Sequence, residues 1–69
     1  MYRLITTSVS TEGVTHYSGN ASTLRECASR QRRFVDGCKL AGCEVLIDAP
    51  RVVAFFPDGS ISEVICVRA

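Results

Sequence analysis

Short runs of β-branched and aromatic residues alternate with polar turn clusters along this chain, and one longer stretch breaks the pattern with helical periodicity. Residues 2–9, YRLITTSV, predict a strand. STEG is turn-like, and VTHY (14–17) predicts a short returning strand, which makes the N-terminus a hairpin; SGNAS then supplies loop residues. In the last third, CEVLID (43–48) and RVVAFF (51–56) flank a turn at Ala49 and Pro50, and ISEVICV (61–67) predicts the final strand. Between the last two lies PDGS (57–60), the clearest hairpin signal, because Asp-Gly tolerates the positive φ such turns demand.

The helical stretch is predicted from about Leu24 to Ala41. Thr23 and Glu26 have the spacing of a capping box, and Gly42 is placed to leave the helix in the left-handed conformation. Gly37 weakens it by about 1 kcal/mol relative to Ala and allows a kink. At 100° per residue, Leu24, Cys27, Ala28, Gln31, Phe34, Val35 and Cys38 share one arc, the face that must meet a sheet. Gln31 is at the centre of that arc, so its amide needs backbone partners there, unless the helix is shorter and rotated. The order is ββαβββ: one small two-layer α+β domain over residues 1–69, with one amphipathic helix packed on an antiparallel sheet of four or five strands.

One helix covers one face of a sheet, and the other face should then alternate to polar. The last hairpin does not. Val52, Ala54 and Phe56 point one way and Val53 and Phe55 the other, while Val64 and Cys66 oppose Ile61, Ile65 and Val67. With the register left open by the length of the PDGS loop, Val53, Phe55 and Val64, or their opposite-facing neighbours, are the candidates for an apolar interface. A homodimer, sheet against sheet or edge to edge, would cover them; so would the loop at 9–22 or the N-terminal hairpin folding over this face.

Composition bounds the function. At 69 residues the chain is a single domain, and an apolar fraction of 46% with 22% charged residues argues for a folded one. A net charge of +1 supplies no global field toward nucleic acid or anionic membrane. The first ten residues lack a basic segment followed by an apolar one, and no apolar run approaches bilayer length, so the expected compartment is cytoplasmic, with the four cysteines reduced. Cys27, Cys38, Cys43 and Cys66 are spaced by ten, four and twenty-two residues, unlike the paired short spacing of zinc ligands, and are read as packing residues.

No catalytic set, cofactor motif or metal site is expected. His16 is the one histidine, the carboxylates are scattered, and there is no glycine-rich phosphate loop after a strand. Two sets of partner-binding residues remain. Arg25, Arg32 and Lys39, seven apart, form a row along one flank of the helix, with Arg30 and Arg33 on the other. The row suits a phosphate backbone or an acidic protein surface, although Glu26–Arg30 and Arg32–Asp36 have the i,i+4 spacing of plain solvated pairs. Glu12, Asp48, Asp58 and Glu63, in turns and strands, are the acidic counterpart. The leading expectation is a non-enzymatic protein-binding module. More narrowly, it would be a phage or mobile-element accessory inhibitor of the anti-CRISPR kind, masking a surface on a larger protein or nucleoprotein complex. The alternative is a small RNA- or DNA-binding protein that uses the basic helix flanks.

Overall fold

A computed structural model describes all 69 residues. The elements are β1 (Tyr2–Ser10), β2 (Gly13–Ala21), α1 (Leu24–Leu40), β3 (Glu44–Asp48), β4 (Arg51–Phe55) and β5 (Ile61–Arg68). All strand pairs are antiparallel, in the order β2-β1-β5-β4-β3, so the N-terminal hairpin joins the C-terminal meander through β1 and β5. The smallest dimension is 16 Å, the thickness of one helix on one sheet.

The helix begins and ends on side-chain and backbone caps. Thr23 Oγ1 accepts from the Glu26 N–H at 3.1 Å. The Glu26 carboxylate reaches past the cap to Ser22, accepting from its backbone N–H (3.0 Å) and its hydroxyl (2.9 Å). Those two bonds, with the Arg30 guanidinium, hold the carboxyl below its usual range. At the other end the Gly42 N–H donates to the Lys39 carbonyl and Cys43 N–H to the Cys38 carbonyl, with Gly42 at φ +82°. That is a Schellman closure, which only a residue free of a Cβ penalty makes cheaply. Gly37 does not interrupt the helix.

Cys27, Val35 and Cys38 are buried from α1, and Phe34 packs beside them against Leu4, Ala21, Val64 and Cys66 of the sheet. The amide of Gln31 finds backbone partners: its Nε2 donates to the carbonyls of Pro50 (2.7 Å) and Val64 (3.3 Å). Leu24 departs from the predicted arc. It lies in the first turn and is exposed, as is Ala28 one turn on.

The N-terminal hairpin corrects the expected lengths. β2 is not a four-residue strand followed by a loop; it runs nine residues, and SGNA pairs with Tyr2 to Ile5 of β1. A full-length partner strand outweighs the loop composition of Ser, Gly and Asn.

Candidate functional site

The β4–β5 turn fixes which side chains reach the uncovered face. Phe55 pairs with Ile61, the Phe56 N–H donates to the Ser60 carbonyl, and Gly59 N–H donates to Phe56, leaving a three-residue loop with Gly59 at φ +92°. Asp58 Oδ1 stabilises it by accepting from the Ser60 N–H (2.8 Å) and hydroxyl (2.6 Å), and these bonds lower the carboxyl's pKa. In this register Val53 opposes Glu63, and Val64 opposes Val52.

Val64 therefore has to be reassigned. Expected beside Val53 and Phe55, it faces the helix and is 5% exposed, because the odd loop length puts it out of phase with them. Val53 and Phe55 do share the face away from α1. Val53 is buried there between Leu46 and Glu63, its directly opposed neighbours; Phe55 is exposed.

The same pairings align one rung of apolar side chains across that face. Val14 opposes Val9, Val9 opposes Ile61 and Ile61 opposes Phe55, so four adjacent strands each contribute one residue. Their exposures are 60%, 44%, 39% and 42% in that order. At about 4.8 Å per strand the rung is roughly 14 Å long. The strict period of two in each strand, once the pairing is known, is the signal that finds Val9 and Val14, which lie outside the last hairpin, and that selects Ile61 from the opposite-facing neighbours of Val64.

Charged groups border the rung unequally. The tips of both hairpins lie at its end of the sheet, separated by a cleft of about 370 Å³ lined by Val9, Thr11, Asp58, Ser60 and Ile61 among others. Glu12 is exposed at one tip and makes no ion pair; Asp58 is at the other. Asp48 and Glu63 are placed differently. Both lie on the uncovered face and converge on Arg51, each at 3.5 Å. The next rung is mostly polar, and in it His16 Nδ1 and Thr7 Oγ1 are 3.2 Å apart.

On the helix, the five cations divide. Arg30 is a tether: it bonds Glu26 at 2.9 Å and donates to the Asn20 carbonyl at 2.8 Å, fastening α1 to β2. Arg25, Arg32, Arg33 and Lys39 are exposed and make no ion pair, and the Arg32–Asp36 pair is not formed. Arg32 and Lys39 rim a groove of about 380 Å³ between α1 and β3, floored by Val35, Ile47 and Val52.

The cysteines fall into two couples, all free thiols. Cys27 meets Cys66 in the core, where burial, with Cys27 beside it, pushes the Cys66 thiol up to about 11. Cys38 meets Cys43 across the helix C-cap, and burial followed by that neighbour raises Cys38 as well. No group of three or more His, Cys, Asp or Glu converges on a common point, and no helix is long and apolar enough to cross a membrane.

Comparison with protein-family models, with curated proteins and with solved structures finds no match to this chain. What the site defines is therefore a class of surface: an exposed apolar rung on the face of a two-layer α+β domain that the helix leaves open.

Proposed function

We propose that this chain is a non-catalytic protein-binding module that docks through the apolar rung Val14–Val9–Ile61–Phe55. The observation that carries the reading is the alignment itself. Singly exposed apolar residues are ordinary on any surface, whereas four directly opposed ones form a continuous patch of the kind that marks interfaces. The fitting partner is a protein with an apolar surface edged by cations, because Glu44, opposed to Phe55, stands at the rung's end and Glu12 and Asp58 stand at the hairpin tips beside it, all without counter-charges. Asp48 and Glu63 have smaller parts, since the pair shares Arg51 and keeps one net negative charge between them.

In its narrower form the reading is an accessory inhibitor that masks a surface on a larger host complex, of the anti-CRISPR kind. A small rigid domain with one docking face suits masking, and a partner that handles nucleic acid would carry the basic surface that Glu12 and Asp58 call for. Direct nucleic-acid binding is the competing reading, supported by the four unpaired cations of α1 and opposed by the near-neutral net charge.

The test begins with a photo-cross-linking residue at position 55 in the source cells, with position 32 as the comparison. The protein trapped from position 55 is then titrated calorimetrically with the wild type and with Phe55→Asp and Arg32→Glu variants. Phe55→Asp is expected to weaken binding about ten- to a hundredfold, since it removes buried apolar area and buries a charge, whereas Arg32→Glu changes it little. Loss on Arg32→Glu alone, with affinity of the wild type for random-sequence RNA or DNA, would replace this reading with the nucleic-acid one.

A further inference from the structure

The two edges of the sheet are built differently. β3, at one edge, is guarded against pairing with itself. An antiparallel β3–β3 contact centred on Leu46 would set Glu44 of each chain opposite Asp48 of the other, both pairs on one face, and like charges directly opposed are destabilising. β2, at the other edge, carries none of the usual protections: its nine residues, GVTHYSGNA, include no Asp, Glu, Lys, Arg or Pro. An edge of about 30 Å presents a row of backbone N–H and C=O groups, of which the Asn20 carbonyl already accepts from Arg30.

We infer that β2 is a homodimer interface, pairing antiparallel with β2 of a second copy in a register centred on Tyr17. This register overlaps all nine residues. It sets His16 of one chain against Ser18 of the other, Thr15 against Gly19 and Val14 against Asn20, with no charged pair among them. At the two-fold axis Tyr17 meets its own copy. Its ring stands on the helix side, 74% exposed, with no hydrogen bond in the single chain, and aromatic pairs across strands are favourable. Arg30 touches this edge through the Asn20 carbonyl. A carbonyl oxygen has two lone pairs, so it accepts the guanidinium from the helix side and an N–H in the plane of the sheet together.

Opposed residues of antiparallel strands point to the same face, so the pairing gives one ten-stranded sheet with both helices on one side. The two apolar rungs then look out from the other side, offset along the strands by about 20 Å, the six residues from Val14 to Asn20. The dimer is a bivalent version of the docking surface, but its evidence lies in the edge and not in the rung, so either inference can fail without the other.

Sedimentation equilibrium over a wide concentration series tests it. The wild type is expected to show a monomer–dimer equilibrium. His16→Glu/Ser18→Glu puts carboxylates opposite each other twice and should weaken the dimer at least about tenfold, while His16→Glu/Ser18→Lys, which pairs opposite charges in the same register, should restore it. Circular dichroism melts compared at a concentration where the wild type is monomeric should coincide, which checks that these exposed positions leave the fold intact. In the wild type, exchange of the outward β2 amides should slow as concentration rises. A wild type that stays monomeric would overturn the inference. So would a dimer broken by Phe55→Asp/Ile61→Asp but not by His16→Glu/Ser18→Glu, or a charge swap that fails to restore it.

Discussion

Cys66 shows what burial does to a single residue here. Its neighbours are Leu4, Ala21, Cys27 and Val64, and the cost of placing a thiolate among them raises its pKa from 9.0 to about 11. The folded state therefore holds this proton more tightly than the unfolded chain. The resulting stability is complete below pH 9 and is lost as the pH rises from there toward 11. Urea unfolding at rising pH should show the wild type losing stability over that window and a Cys66→Ala variant, less stable at neutral pH, losing less of its own; equal slopes would mean that Cys66 does not carry the shift. That the cysteines pack as small hydrophobes is legible in the sequence, because Cys27 and Cys38 fall on the apolar arc of the helix. The adjacency of Cys27 to Cys66 is not, since it depends on how the helix sits over β5.

Helix α1 was legible almost to the residue, since its ends are written in local chemistry: Thr23 and Glu26 at the start, Gly42 just past the end. Two substitutions probe it in opposite directions. Thr23→Ala removes the acceptor for the Glu26 N–H and should lower stability by about 1 kcal/mol in urea titrations. Gly37→Ala should raise it by about 0.5–1 kcal/mol, since a Cβ there has nothing within 4 Å and Ala holds the helical conformation at lower entropic cost. A destabilised Gly37→Ala would mean that the helix needs flexibility at its last turns. β2 was the least legible element, because its strand state comes from β1. Tyr2 through Ser10 supply the β propensity for both strands, and Ser18 to Asn20 follow by pairing.

For the whole molecule, the sequence carries the ββαβββ order and the surplus of apolar residues over what one helix can cover. It does not carry the register. Whether Val64 or Ile61 joins Phe55 depends on one residue of loop length at Pro57–Gly59, and that difference moves Val64 from interface to core. The rung that emerges, Val14 to Phe55, joins residues up to fifty-two apart in number (61 minus 9) through three strand pairings, so no local window contains it. The proposed seat of a protein partner is this rung. Its most direct measurement is amide hydrogen exchange of the chain alone and bound to the protein trapped from position 55. Exchange should slow at the two hairpin tips and along residues 53–63, with α1 unchanged. Protection confined to α1, around Arg25 to Lys39, would contradict it and place the binding surface on the basic helix.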